Sequence, residues 1–280
     1  MSTELHPGTG STARAGTAAA AVDAATAEGR AALVAYLPVG YPDVDGSIAA
    51  AKAAVAGGAD VVELGLPYSD PTMDGATIQR AAEVCLANRT RPADVLRAVE
   101  EVASTGAAVL VMTYWPPVDR YGVRRWAQDL AAAGGAGLIT PDLIPDEAGE
   151  WLRASDEHDL EHVFLVAPSS TDARLATTAS ACRGFVYAAS LMGVTGTRAT
   201  VGAGAAELVR RTRAAGAERV CVGLGVSTPA QATEVAQYAD GVIVGSAFVQ
   251  RLLDADSPAA GARAVGELAE QLAAGVRTRP

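Results

Sequence analysis

The chain has 280 residues, of which 50% are hydrophobic and 19% are charged, and its formal net charge at pH 7 is -10. This composition is typical of a globular protein with a large core. It argues against a nucleic-acid binder, which needs clustered Lys and Arg, and the three cysteines form no CxxC pair that would indicate a disulfide framework.

Residues 1–28 are rich in Ala, Gly, Thr and Ser and are predicted to be a low-complexity tail, in which the alanines of residues 18–27 favour a short helix. The tail lacks the basic and Leu-rich regions of a signal peptide, and no apolar run is long enough to cross a bilayer. We therefore expect a cytoplasmic protein without a membrane partner, whose residues 29–280 form a single domain.

From residue 30 onward, short apolar runs alternate with Ala-rich helical stretches. The predicted strands cover residues 33–38, 60–64, 108–112, 137–140, 162–166, 184–188, 219–223 and 241–244. The predicted helices cover residues 48–56, 77–87, 93–104, 124–133, 146–154, 173–181, 205–214, 229–237 and 258–273.

Eight consecutive strand–helix units predict a (β/α)8 TIM barrel with an N-terminal extension. Near-continuous apolar strands such as VVEL and AVLVM are typical of parallel strands buried on both faces. An open doubly wound sheet has the same local pattern, so the number of units favours the barrel without proving it. In a barrel, functional residues lie on the loops that follow the strands.

The loop after the second predicted strand carries most of the candidate catalytic groups. Glu63 lies inside the apolar run VVEL, where burial should raise the pKa of its carboxyl group, as proton transfer near neutral pH requires. A Glu paired with an Arg, or hydrogen-bonded to backbone, explains the same position equally well. Asp70 and Asp74 precede Pro71 and Gly75 and are also ordinary turn residues.

Three glycine-containing loops follow the last three predicted strands, at residues 193–197 (GVTGT), 223–228 (GLGVST) and 245–247 (GSA). Glycine lets backbone N–H groups approach an anion, and a helix starting at Ser246 would add its N-terminal dipole. Each loop alone is more often a tight turn. Their coincidence at consecutive strand ends favours a phosphorylated small-molecule ligand.

The remaining residue types limit the chemistry. The only lysine, Lys52, lies in a predicted helix, so a Schiff-base aldolase is hard to build. His6, His158 and His162 are predicted to be surface residues, so no metal site is expected. Carboxylate acid–base chemistry on a phosphorylated substrate is what remains.

The loop motifs resemble those of a known family. ELGLPYSDP followed by DGATIQ resembles the signature loop of tryptophan synthase alpha subunits. YAASLMGVTG, GLGVSTPAQ and GSA resemble later motifs of that family in the same order, and TPDLIPDEA and VMTY resemble actinobacterial members. The resemblance covers roughly residues 30–276 and implies cleavage of indole-3-glycerol phosphate to indole and glyceraldehyde 3-phosphate.

The resemblance also implies residue roles. Glu63 matches the catalytic glutamate, which protonates the indole ring and removes a proton from the glycerol hydroxyl, and Asp74 matches the aspartate that binds the indole N–H and stabilises the positive charge on the ring. The implied substrate-binding residues comprise two aromatic side chains and a set of loop residues: Tyr36, Tyr187, Thr195, Gly196, Gly225, Gly245 and Ser246. For Tyr36, core packing explains the residue nearly as well. Residues 197–205 are expected to form a mobile lid.

The implied partner is a tryptophan synthase beta subunit in an α2β2 tetramer. Pyridoxal phosphate is expected only in that partner, and no cofactor is expected in this chain. Family members usually carry Asn after the aromatic residue of the loop that helps to dock the beta subunit, where this chain has Pro116. Pro116 leaves open a stand-alone lyase that releases free indole. A barrel that only binds and activates a partner is disfavoured by intact Glu63 and Asp74, and the ordered motifs disfavour an isomerase of a neighbouring pathway.

Overall fold

A computed structural model describes residues 16–189, 198–223 and 225–277. Its strands are β1 (Ala32–Pro38), β2 (Val61–Gly65), β3 (Ala108–Met112), β4 (Gly137–Ile139), β5 (Glu161–Val163), β6 (Leu165–Val166), β7 (Val186–Ala189), β8 (Val220–Gly223) and β9 (Gly241–Val244). Its helices are α1 (Ala18–Ala27), α2 (Val44–Ala56), α3 (Ala76–Ala87), α4 (Pro92–Ala103), α5 (Trp115–Tyr121), α6 (Val123–Ala132), α7 (Gly149–Glu157), α8 (Asp172–Ala181), α9 (Arg198–Ala214), α10 (Pro229–Ala236), α11 (Ser246–Leu253) and α12 (Pro258–Val276).

All the strands pair in parallel in one sheet, with the order β5-β4-β3-β2-β1-β9-β8-β7-β6. Only Phe164 separates β5 from β6, and β5 pairs with β4 whereas β6 pairs with β7. These two pieces therefore form one interrupted strand that joins the two edges of the sheet. The predicted (β/α)8 barrel is confirmed, with its fifth strand in two pieces.

Two apolar cores stabilise this barrel. The larger core lies between the barrel and the surrounding helices. The smaller core fills the barrel interior and consists of side chains from α1, from the strands and from two residues that directly precede strands: Ala18, Val22, Ala25, Ala32, Val34, Val61, Ala108, Leu110, Ala136, Ile139, Val163, Phe185, Cys221 and Ile243. Helix α1 thus buries its apolar face against the amino-terminal ends of the strands, which leaves the carboxyl-terminal ends free for a site. The division into residues 1–28 and 29–280 stays a prediction.

Side-chain caps determine where several helices begin. Asp43 accepts a hydrogen bond from the Gly46 backbone N–H at 2.7 Å, so α2 begins four residues before its predicted start. Thr228 and Gln231 form a reciprocal capping box at the start of α10. The predicted bounds of α3, α4, α6, α8 and α10 differ from the observed ones by a single residue at one or both ends.

Three helix predictions were wrong. Helix α5 was not predicted because it contains Pro116 and Pro117, but these lie in its first turn, where a backbone N–H is not needed. A 3-10 turn at Pro145–Glu147 precedes α7, so the predicted helix over residues 146–154 is displaced. Helix α9 begins at Arg198 rather than at residue 205, so residues of the expected lid form its first turns.

Candidate active site

The candidate site is a cavity of about 260 Å³ at the carboxyl-terminal ends of the strands. Its walls come from eight strand residues and seven loop or helix residues: Tyr36, Glu63, Met112, Leu165, Tyr187, Ala189, Gly223, Ile243, Met73, Asp74, Gly75, Ile78, Gly225, Gly245 and Ser246. Seven of the nine predicted site residues are in that set. The other two, Thr195 and Gly196, lie outside the described residues.

Glu63 contributes a buried carboxyl group without a partner. It lies on β2 in register with Tyr36 of β1 and is 0% exposed. Neither of its carboxyl oxygens has a hydrogen-bond partner in the part of the chain that the structure describes. Burial raises the pKa of Glu63 to about 8, which confirms the expected direction. The alternative explanation, a glutamate paired with Arg or backbone, is therefore not supported.

Asp74 lies on the loop after β2, and its carboxyl group, unlike that of Glu63, accepts a hydrogen bond. Its Oδ1 accepts a hydrogen bond from the Tyr114 hydroxyl at 3.2 Å. Its backbone carbonyl accepts another from the Gln79 side-chain amide at 2.8 Å, which ties the loop to α3. Burial raises the pKa of Asp74, and the Tyr114 hydrogen bond lowers it. The cavity thus combines one carboxyl group that is neutral at pH 7 with one on which a hydrogen bond opposes part of the effect of burial.

Two tyrosines close the cavity, and each lies over a glycine of the neighbouring strand. A Cβ atom on Gly65 would overlap the hydroxyl of Tyr36, and one on Gly223 would overlap the hydroxyl of Tyr187. The glycines therefore make room for rings that lie flat enough to line the cavity. Tyr36 is half-buried and borders the cavity rather than the barrel interior.

The opposite wall is built from backbone. Gly225 has φ of +67°, a left-handed conformation that favours glycine, and Gly245 precedes α11. Among the described residues, no side chain caps the amino terminus of α11 at Ser246. Its first N–H groups and its dipole therefore point toward this wall, which is the arrangement that binds phosphate in such barrels.

The sequence analysis missed three apolar strand residues of the cavity, Met112, Leu165 and Ile243, and it missed Tyr114, which bonds to Asp74 just outside the lining. The first three point inward from their strands, so strand alternation could have identified them. Tyr114 is the second residue after β3, within the VMTY segment, but its contact with a loop 40 residues earlier leaves no local signal.

The other titratable candidates lie elsewhere. Lys52 on α2 pairs with Glu101 at 2.5 Å. His162 was predicted to be a surface residue, and this was wrong: it lies in β5, is 6% exposed, and its Nδ1 is 3.0 Å from the Ser155 hydroxyl. Burial lowers the pKa of His162 to about 4. Across the described ranges, no cluster of His, Cys, Asp and Glu could hold a metal ion.

A larger cavity, of about 390 Å³, lies at the opposite end of the barrel. Arg183 and Arg219 line it, but both form ion pairs with surface carboxylates. Volume alone therefore does not identify the site, whereas the unpartnered carboxyl group and the free helix terminus do. A search of the described helices finds none long and apolar enough to span a membrane.

Comparisons with known proteins give one consistent result. A family model described as tryptophan synthase alpha chain matches residues 22–277. The tryptophan synthase alpha chain of Thermobifida fusca is 61% identical over 256 residues, covering 90% of this chain and 95% of the relative. That of Streptomyces coelicolor is 62% identical over 255 residues, with 91% and 94% covered.

Solved structures agree with this result. Tryptophan synthase from M. tuberculosis, in an open form, contains a chain that is 55% identical to this one, with a TM-score of 0.84 over 91% of this chain and 96% of that one. Tryptophan synthase subunit alpha from Legionella pneumophila is 30% identical, with a TM-score of 0.82 and the same coverage of 91% and 96%. The fold is therefore retained at half the sequence identity.

Proposed function

Since the chain belongs to the tryptophan synthase alpha chain family, we propose that Glu63 and Asp74 are the catalytic carboxyl groups of its reaction. The reaction is the lyase cleavage of indole-3-glycerol phosphate to indole and glyceraldehyde 3-phosphate in tryptophan biosynthesis. One observation carries the assignment: a fully buried, unpartnered carboxyl group and a hydrogen-bonded one line the same cavity.

Glu63 transfers the protons. With a pKa of about 8 it is neutral at pH 7, so its O–H can protonate C3 of the indole ring. The resulting Glu63 carboxylate then takes the proton from the hydroxyl on the carbon attached to the ring. The bond between that carbon and C3 breaks, its electron pair returns to the ring, and the hydroxyl carbon becomes the aldehyde. Glu63 ends protonated, as it began.

Asp74 stabilises the intermediate. Protonation of C3 places positive charge on the ring and makes the indole N–H a stronger donor. An ionised carboxylate that accepts this hydrogen bond lowers the free energy of the charged intermediate. The Tyr114 hydrogen bond to Asp74 Oδ1 leaves the second oxygen, Oδ2, available for the ring.

The remaining cavity residues bind the two ends of the substrate. Tyr36 and Tyr187 flank the indole ring, while the backbone at Gly225, Gly245 and Ser246 receives the phosphate. Thr195 and Gly196, known only from the family resemblance, are expected to complete the phosphate loop.

We further propose that the chain acts with a tryptophan synthase beta chain, in an α2β2 tetramer in the cytoplasm. The beta chain would hold pyridoxal phosphate, and this chain would need no cofactor of its own. An apolar groove beside the site supports a partner surface, because Leu66, Pro67, Leu86, Pro116 and Pro117 line it. The alternative is a stand-alone lyase that releases free indole.

The test is the rate of indole release from indole-3-glycerol phosphate, measured with and without a beta chain. Slow release that the beta chain accelerates supports the tetramer, and fast release by the isolated chain supports the stand-alone lyase. No release under either condition contradicts the proposed reaction.

A further inference from the structure

The Tyr114 hydroxyl makes every hydrogen bond that a phenol can make. It accepts from the backbone N–H groups of Thr72 at 3.1 Å and Met73 at 2.9 Å, which occupy its two lone pairs. Its single hydrogen is left for Asp74 Oδ1, at 3.2 Å. Because a phenol has one donor and two acceptor sites, this arrangement fixes the direction of the O–H bond toward the carboxylate.

The ring that carries this hydroxyl is itself held firmly. Tyr114 is 5% exposed and its ring packs against Tyr68, with centroids 5.1 Å apart. It directly precedes α5, whose first N–H, from Trp115, donates to both carboxyl oxygens of Asp142 at 2.9 and 3.1 Å. The position of the hydroxyl therefore depends on the loops after β2, β3 and β4 together.

We propose that Tyr114 is the positioning residue of Asp74, holding the loop backbone and the carboxylate in the geometry that the indole N–H requires. This inference rests on the proposed role of Asp74. Tyr114 acts through Asp74, since it does not line the cavity itself. Gln79 holds only the backbone carbonyl of Asp74, so among the described residues Tyr114 alone orients the carboxylate side chain.

The hydrogen bond from Tyr114 also affects the ionisation of Asp74. Burial raises the pKa of Asp74 and the Tyr114 hydrogen bond opposes that rise. Without the hydroxyl the pKa of Asp74 should increase, so the acidic limb of kcat/KM should move to higher pH. The other titratable groups that face this region include Tyr36 on β1, Glu63 on β2 and Cys85 on α3, and all three are unchanged in the variants below.

The test compares Tyr114→Phe with Tyr121→Phe. The control also removes a Tyr–Asp hydrogen bond, from the Tyr121 hydroxyl to Asp129 at 2.5 Å, but on the outer helices. We expect Tyr114→Phe to lower kcat by about 10-fold to 100-fold, the range for a hydrogen bond to a charged group, with a smaller change in KM. Tyr121→Phe should leave kcat and the acidic limb unchanged.

A second substitution gives the opposite shift. Replacing Tyr114 by 3-fluorotyrosine keeps the ring and the hydroxyl but makes the hydroxyl a stronger donor, so the acidic limb should move to lower pH. This variant keeps the test valid if Tyr114→Phe fails to fold. Equal kcat and equal acidic limbs in the Tyr114 and Tyr121 variants would overturn the inference.

Substitutions at Asp74 test its proposed catalytic role separately from the positioning role of Tyr114. In an Asp74→Ala background, Tyr114→Phe should cause no further loss of kcat. If Asp74→Ala lowers kcat and Tyr114→Phe does not, only the positioning role is wrong. If Asp74→Ala itself keeps normal kcat, the proposed role of Asp74 is wrong.

Discussion

Among the residues that the structure describes, two glutamates are buried, one toward each end of the barrel, and they differ in what surrounds them. Glu63, in the middle of β2 and lining the cavity, is 0% exposed and has no hydrogen-bond partner among the described residues. Glu161, the first residue of β5, is 2% exposed and accepts hydrogen bonds from the backbone N–H groups of Ala18 and Ala19, each at 2.8 Å. Glu161 therefore anchors the start of α1, and Glu63 anchors nothing.

The comparison shows that a raised pKa does not by itself identify a catalytic group. Burial raises the pKa of Glu63 to about 8 and that of Glu161 to about 7, so both appear perturbed. The hydrogen bonds distinguish them. The carboxylate of Glu161 is already used by a helix terminus, whereas that of Glu63 is free to exchange its proton with a substrate.

The largest effect is expected for Glu63→Gln, which keeps the shape of the side chain and removes its proton transfer. The rate of indole release should fall by roughly a hundredfold to ten-thousandfold, the usual contribution of general acid–base catalysis. Far-ultraviolet circular dichroism should be unchanged. Near-normal turnover in this variant would remove Glu63 from the mechanism.

Asp74→Asn should have the next largest effect, about a hundredfold on kcat, because the amide can still accept the indole N–H bond but carries no charge. Substrate affinity, measured by KM, should change much less. A variant that loses affinity at unchanged kcat would show that Asp74 serves binding alone.

A smaller effect should appear in the pH dependence of stability. Both glutamates have folded-state pKa values above the unfolded value of 4.5, so each favours folding most at low pH. That contribution is lost as pH rises through about 7 for Glu161 and about 8 for Glu63. In urea titrations across this range, Glu63→Gln should flatten the decline in the free energy of unfolding between pH 4.5 and about 8. An identical decline in the wild type and the variant would show that Glu63 is not the group responsible.

The smallest effect on activity is expected for Glu161→Gln. Its amide keeps one acceptor for the two N–H groups of the α1 terminus and loses the other, so unfolding should require about 1 kcal/mol less. Indole release should be unchanged, which makes this variant the matched control for Glu63→Gln. A loss of turnover at full folding would mean that the two ends of the barrel are coupled.

The sequence was sufficient for the barrel and for much of the site. Apolar runs and caps place the strands and most helices, and the motif resemblance brings Glu63, Asp74 and the two tyrosines to one cavity. Glu63 was identifiable because a charged residue interrupts an apolar strand. These patterns involve residues that are close together along the chain, so a single sequence is enough to show them.

What the sequence could not predict depends on distant contacts. Tyr114 and Asp74 lie on different loops and are joined by a hydrogen bond. His162 can be buried because Ser155 of α7 supplies a hydrogen-bond partner for its ring. Helix α5 was missed because two prolines usually end a helix, whereas Asp142 from another loop helps to begin this one. Composition and periodicity do not contain such pairings.

Infrared difference spectroscopy measures the protonation state of Glu63 at rest directly. The protonated fraction of Glu161, whose pKa is about 7, is the same in the wild type and in Glu63→Gln and cancels when the two spectra are subtracted. The carbonyl band of protonated Glu63 should therefore be present in the difference between the wild type and Glu63→Gln at pH 7, and it should be lost as pH rises through about 8. Absence of that band at pH 7 would mean that Glu63 is already ionised and cannot supply the first proton to the indole ring.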